Sequence, residues 1–113
     1  MIAEYFYTLI FIYTKMKLTL IYTTCKDEGE AKSMGKRLLK LKLVACINIF
    51  PINSCYIWEG ECKDCSEAAL LCKLLPKNES KVREKIKEFH SYKVPAILSW
   101  KARVNKEYYD YFQ

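Results

Sequence analysis

Residues 43–60, with the sequence LVACINIFPINSCYIWEG, constrain the fold of this chain more than any other stretch. The apolar run that precedes Pro51 is typical of a buried strand. Residues 55–58 are again rich in β-forming side chains, but Pro51 cannot donate a ladder hydrogen bond and predicts a bulge or bend. Glu59 and Gly60 then supply a turn. The stretch predicts one long, kinked strand that leads into a hairpin and leaves edge surface for a partner chain.

The composition indicates one globular domain. A chain of 113 residues can bury an ordinary core, and its hydrophobic share of 51% and charged share of 28% are globular values. The net charge of +6 favours anionic surroundings without naming a partner. No cleavable signal is evident, so the six cysteines predict reduced thiols in a cytoplasm.

The first fifteen residues, MIAEYFYTLIFIYTK, differ from the rest of the chain. Residues 5–14 are uncharged and rich in aromatic side chains, but about ten residues are too short to cross a bilayer. A signal peptide would carry positive charge ahead of its apolar run, and only Glu4 stands there. We interpret residues 1–15 as a start-site artefact or a poorly ordered extension, with an extra strand as the alternative. A single domain at 16–113 follows, and no membrane partner is expected.

Periodicity and capping residues predict the remaining elements. Asp27 and Glu30 form a helix N-terminal box, and Val82, Ile86 and Phe89 mark the apolar side of a second helix. The predicted elements are a strand at 17–25, a helix at about 28–41, a strand at 67–74 after a turn at 60–66, a helix from Pro76 to about residue 90, a strand at 96–101 and a short helix capped by Asn105. The order β-α-β-β-α-β predicts an α+β, ferredoxin-like antiparallel sheet with both helices on one face.

Five short motifs in this order resemble those of the divalent-cation tolerance family, the CutA proteins. They are Thr23-Thr24-Cys25 before Asp27-Glu28, Ala45-Cys46-x-Asn48-Ile49, Ser54-x-Tyr56-x-Trp58-x-Gly60, His90-x-Tyr92-x-Val94-Pro95, and Asn105-x-x-Tyr108-x-Asp110. The resemblance implies a cytoplasmic homotrimer whose long strands pair between subunits, with a role in metal-ion response and copper binding in some members. The chain departs from the family where Lys93 and Ala96 replace carboxylates.

Three residues are candidate ligands for copper or another divalent cation. His90 is the single histidine, and a neutral imidazole is a common ligand of copper and zinc; the alternative is a histidine that interacts with the carbonyls at a helix end. Cys62 and Cys65 form a C-x2-C pair on the predicted turn, a spacing that lets two thiolates reach one ion. A structural zinc site needs four ligands, so incidental exposed cysteines are the alternative.

Four further residues are candidates for an intersubunit cleft or interface. Tyr56 and Trp58 alternate on one strand face, and such residues more often pack an interface core than line a ligand cleft. Lys73 on the third strand and Tyr92 after the second helix complete the set.

Other function classes find little support in the sequence. The chain has no G-x-S-x-G, Walker or H-E-x-x-H motif, and it lacks the aromatic signature of an RNA-binding sheet. We therefore predict a non-enzymatic trimer of metal-ion tolerance with no nucleic-acid partner. The alternative is a signalling trimer that binds a small anionic ligand in its intersubunit clefts, and a third hypothesis is a purely structural scaffold.

Overall fold

One antiparallel sheet organises the chain, and the computed structural model describes residues 2–112. The elements are α1 (Ile2–Lys15), β1 (Lys17–Cys25), α2 (Glu28–Lys40), β2 (Cys46–Trp58), β3 (Glu61–Leu74), a 3-10 turn (Pro76–Asn78), α3 (Glu79–Phe89), β4 (Ile97–Arg103) and α4 (Lys106–Tyr111). The strand order is β2-β3-β1-β4, with every neighbouring pair antiparallel. The predicted α+β class and the β-α-β-β-α-β order of residues 17–103 are confirmed.

The core lies between the sheet and the helices α2 and α3. Alternate residues of a strand point to opposite faces, so Ile21 and Leu70 face the helices on neighbouring strands. Met34 of α2 and Ile86 of α3 pack against this face, and all four side chains are buried. This packing fixes the ends of β1, α2 and α3 relative to one another.

The pairing of β2 with β3 continues beyond the rest of the sheet. The strand β3 pairs with β1 only over residues 68–74, whereas residues 61–67 pair with residues 52–58 of β2 alone. This two-stranded segment, the ribbon, extends about 24 Å at the usual rise of a strand. The predicted long second strand is therefore confirmed.

Of the predicted bulge or bend at Pro51, the bulge is wrong. Pro51 pairs with Ala68 inside an uninterrupted register that runs from Cys46 to Trp58. Because β2 is an edge strand, a residue without an N–H group can be accommodated there without breaking the ladder.

The predicted turn at 60–66 is also wrong, because β3 begins at Glu61. Glu59 and Gly60 alone make the turn, with φ angles of 50° and 79°. Two central residues with positive φ are typical of the type I′ turn, which suits the twist of a hairpin. The turn is thus as short as a hairpin allows, and the strand gains the residues that were assigned to a loop.

Of the three helix starts that the sequence marked, those at Asp27 and Asn105 lie at their predicted positions, whereas α3 begins at Glu79 after a 3-10 turn at Pro76–Asn78. Asp27 is the N-cap of α2 and accepts a hydrogen bond from the Glu30 N–H group at 2.8 Å. Asn105 occupies the N-cap position of α4, but its side-chain amide donates to the Glu107 carboxylate, and its side-chain oxygen accepts no capping hydrogen bond from a backbone N–H group of the helix.

The segment before β1 is helical in the structure. Residues Ile2–Lys15 form α1, so the alternative of an extra strand is wrong. Of the helices in the described part of the chain, none combines the length and the apolar character that crossing a membrane requires. The boundary between an extension at 1–15 and a domain at 16–113 stays a prediction.

The hairpin turn generates a paired test. Gly60→Ala places a Cβ atom in the left-handed region and should lower the free energy of unfolding by about 1 kcal/mol. Glu59→Asn replaces a residue that disfavours positive φ with one that tolerates it, and should raise the free energy by a few tenths of a kcal/mol. Urea unfolding at a fixed protein concentration measures both. Effects of the same sign in the two variants would contradict the assignment of the turn.

Candidate metal centre

Three potential metal ligands converge at one edge of the sheet. Cys25 ends β1, Glu30 lies in the first turn of α2, and His90 follows the last residue of α3. Their ligand atoms all lie within 4.8 Å of one another. The topology explains the meeting, because the start of β4 pairs with the end of β1 and the loop from α3 to β4 returns to that edge. We call Cys25, Glu30 and His90 the edge cluster.

The hydrogen bonds of His90 define its tautomer. The Tyr92 N–H group lies 3.1 Å from Nδ1 and can only donate, so Nδ1 carries no proton. The Thr24 carbonyl lies 2.9 Å from Nε2 and can only accept, so Nε2 carries the proton. A histidine that ligates a metal typically donates its other N–H group to a carbonyl or carboxylate. His90 has this arrangement, with Nδ1 as the nitrogen that would face an ion in place of the Tyr92 amide.

The Glu30 carboxylate joins two loops to the start of α2. One of its oxygens accepts from the Lys26 N–H group and the other from the Ser91 N–H group, each at 3.0 Å. Burial raises the pKa of Glu30, but hydrogen bonds from Ser91 and Lys26, together with the nearby His90, outweigh it and hold this pKa below its ordinary value. Glu30 is therefore an anion at neutral pH and still has free lone pairs.

The Cys25 thiol is buried. Burial raises its pKa to about 12, and the charges of Glu30 and Glu67 act in the same direction. The thiol is therefore protonated at neutral pH and is not a reactive nucleophile. A metal ion bound here would have to displace the thiol proton, so binding would release a proton.

The donor set of the edge cluster fits a transition metal better than Mg²⁺ or Ca²⁺. Imidazole nitrogen and thiolate sulfur are ligands of copper and zinc, whereas the hard cations require oxygen donors. Three protein ligands would leave a coordination position open. The donor set therefore suits a copper or zinc ion that keeps one coordination position free of protein ligands.

The predicted C-x2-C site lies on β3 in the ribbon, and its placement on a turn is wrong. Cys62 is opposite Ile57 and Cys65 is opposite Ser54 in a regular ladder. Residues three apart on a strand point to opposite faces, so the two thiols of one chain are not directed at one ion. A metal role for Cys62 and Cys65 stays a prediction that would need ligands from a second chain.

Tyr92 links the edge cluster to the base of the ribbon. Its ring centroid lies 4.9 Å from that of His90, and its hydroxyl donates to Glu67 at 2.5 Å. Burial, followed by this hydrogen bond and the charge of Glu67, raises the pKa of Tyr92. Cys65 lies close enough to Tyr56 to raise the pKa of that residue too. Two of the predicted cleft residues, Tyr92 and Tyr56, therefore both lie near Cys65 and Glu67.

The other two predicted cleft residues lie elsewhere in the chain. Trp58 is exposed at the end of the ribbon. Lys73 has its Nζ 5.6 Å from the ring centroid of Tyr108 in α4. Within one chain, the four residues do not form a single site, and their role in an interface stays a prediction.

Sequence reasoning identified His90 but missed Cys25 and Glu30 as its neighbours. A signal existed, because Cys25 ends the first strand and Glu30 belongs to the capping box that follows. Because both residues are far from His90 along the chain, the sequence did not reveal that they lie beside it in the fold. The pairing of β4 with the end of β1 is what brings them together.

The comparisons with known proteins agree with one another. A family model described as CutA1 divalent ion tolerance protein matches residues 19–113. The divalent-cation tolerance protein CutA of Archaeoglobus fulgidus is 42% identical over 79 residues, which are 70% of this chain and 78% of the relative. That of Thermus thermophilus is 34% identical over 96 residues, or 83% and 93% of the two chains.

Two solved structures have the same fold. The periplasmic divalent cation tolerance protein CutA from Archaeoglobus fulgidus superposes with a TM-score of 0.81 at 38% identity, covering 84% of this chain and 94% of that one. The divalent ion tolerance protein CutA1 from Ehrlichia chaffeensis gives a TM-score of 0.82 at 32% identity, covering 84% and 91% of the two chains.

The Glu30 carboxylate generates a prediction about pH. Glu30→Gln removes the anion that accepts from two amides, so the melting temperature at pH 7 should fall, by the equivalent of about 1–2 kcal/mol. Because the folded-state pKa of Glu30 is lowered, its contribution is present above pH 4.5 and is lost as the pH falls below that value. The two proteins should therefore converge in thermal melts between pH 7 and pH 3.

A matched control is Glu88→Gln, which removes an exposed carboxylate paired with Lys85 on α3. It should change the melting temperature little at any pH. A Glu30→Gln deficit that stays constant or grows as the pH falls would contradict the assigned role of this carboxylate.

Proposed function

Because the chain belongs to the CutA1 divalent ion tolerance family, we propose that it is a non-enzymatic protein of divalent metal-ion tolerance that binds copper. The observation that supports this proposal most is the approach of Cys25, Glu30 and His90 to within 4.8 Å of one another. A thiolate, an imidazole and a carboxylate on three separate elements could hold one ion in a fixed frame.

The edge cluster contains a carboxylate, which offsets the loss of the two carboxylates that the resemblance to the family leads one to expect. Lys93 and Ala96 stand where the resemblance places family carboxylates, so the loop after α3 contributes no negative charge at those positions. Glu30 contributes a carboxylate from α2 instead, beside His90 on the same edge. Copper is the favoured ion, because it has the highest affinity of the first-row divalent metals for mixed nitrogen and sulfur ligands.

We propose a homotrimer as the functional assembly. A ribbon of two strands has little stability of its own in water, and β2 has an unpaired edge along its length. The sheet face opposite α2 and α3 carries the exposed apolar side chains Phe50, Leu98 and Trp100. Second and third copies of the chain would cover both surfaces, and the resemblance implies three.

A role without catalysis is supported by the state of the Cys25 thiol, since a protonated buried thiol does not attack a substrate. A cytoplasmic location stays a prediction, and the six free cysteines are compatible with a reducing compartment. The alternative of a small anionic ligand in the intersubunit clefts gains no specific support, because Lys73 lies against Tyr108 of its own chain.

The metal proposal is tested by titration of reduced protein with Cu(I), Cu(II) and Zn²⁺. The wild-type chain should bind about one ion per chain and release a proton from Cys25. Cys25→Ser and His90→Ala should each weaken binding by at least about tenfold, because each removes a ligand. Thermal melts establish that each variant is folded.

The double variant Cys62→Ser/Cys65→Ser is the control, since it removes two thiols that lie on the ribbon and leaves the edge cluster intact. It should bind as the wild type does. Loss of binding in this control, or equally weak binding in every protein, would contradict a metal centre at the edge cluster.

A further inference from the structure

The helix α1 lies outside the part of the chain that matches the family, because the family model begins at residue 19. Its composition is strongly apolar. Glu4 and Lys15 are its two charged residues, and the intervening segment consists of aliphatic, aromatic and threonine side chains. Metal tolerance and assembly through the sheet give this helix no role.

The described apolar side chains of α1 are exposed on several sides. The exposed fractions are 88% for Ile2, 68% for Tyr5, 60% for Phe6, 72% for Tyr7 and 46% for Leu9. Consecutive residues of a helix are about 100° apart around its axis, so Tyr5, Phe6 and Tyr7 point in three different directions. An exposed apolar surface of this extent marks an interaction site.

The distribution of apolar residues distinguishes between two occupants. A second copy of α1 would cover one stripe of the helix and would leave the opposite face in water, where charged and polar residues are expected. Here the apolar residues continue around most of the helix, wider than one stripe, whereas Glu4, Thr8 and Lys15 recur at the spacing of one narrow polar stripe. A helix with a wide apolar surface and a narrow polar stripe suits the boundary of a membrane, where the apolar side enters lipid and the polar stripe stays in water.

The length and the charge of the segment fit a membrane surface rather than a span. Fourteen residues make a helix of about 21 Å, shorter than the hydrocarbon core of about 30 Å. Tyrosine side chains favour the headgroup region, and Lys15 and Lys17 follow the apolar segment in a chain with a net charge of +6. We propose that α1 inserts into one leaflet at an anionic membrane surface and anchors the chain there. This proposal departs from the sequence-based expectation of no membrane partner.

The test is flotation of the full chain with vesicles in a sucrose gradient, because bound protein rises with lipid whereas aggregated protein sinks. Vesicles of phosphatidylcholine with one quarter phosphatidylglycerol are compared with vesicles of phosphatidylcholine alone. The wild type should float with the anionic vesicles and less with the neutral ones. The double variant Phe6→Asp/Leu9→Asp places two charges within α1 and should reduce the floated fraction by about tenfold or more.

The control Val94→Asp introduces the same charge at an apolar residue that is 86% exposed on the loop between α3 and β4. It should float as the wild type does. A wild type that does not float, or a double variant that floats equally well, would overturn the proposal. Light scattering without lipid identifies the other occupant: a wild-type assembly that does not float and that the double variant dissociates would show that α1 binds a second copy instead.

Discussion

The structure depends on the pairing of β2 with β3, which extends beyond the rest of the sheet. The β2–β3 ladder continues from Ile52 to Trp58 after β1 has ended, so about one third of the β structure lies in a ribbon whose outer edges pair with no other strand of the described residues. Main-chain hydrogen bonds between two strands do not stabilise such a ribbon by themselves in water. The ribbon is therefore the part of the chain that the proposed homotrimer would cover with strands and apolar surface from other copies.

The same β2–β3 ladder also positions residues that contact the edge cluster. Its register places Glu67 and Cys65 at the base of the ribbon, and Glu67 accepts the hydroxyl hydrogen bond of Tyr92. Tyr92 in turn fixes His90 through its backbone N–H group. His90, a candidate metal ligand, is thus held by the residue that contacts the ribbon, and a bound ion would take the place of this amide at Nδ1. Two hydrogen bonds therefore connect the ribbon to His90.

Much of this arrangement was predictable, for physical reasons that differ from element to element. The Asp27–Glu30 box and the spacing of Val82, Ile86 and Phe89 are local signals, and they located α2 and α3 correctly. The bulge at Pro51 and the turn at 60–66 were wrong, because proline is tolerated on an edge strand and because Glu59 adopts a positive φ that its residue type disfavours. Both errors depended on context that a single strand's sequence does not contain.

The sequence singled out one member of the edge cluster, and a metal role for that residue stays a prediction. His90 could be identified by residue type, whereas its proximity to Cys25 and Glu30 follows from the pairing of Ile97 with Thr23 across the sheet. Cys62 and Cys65 have an attractive spacing in sequence, but spacing alone does not reveal that the intervening backbone is extended. Strand pairing was therefore a better guide than sequence spacing to which potential metal ligands lie close together.

The most direct test of the central claim is amide hydrogen exchange of the native protein, resolved along the chain. If the ribbon is paired with other copies, the amides of residues 52–58 and 61–67 should be protected to a degree comparable with those of β1, the strand at the centre of the core. Exchange of the ribbon amides near the rate of an unfolded chain, with β1 still protected, would show that the ribbon is unpartnered and would contradict the account.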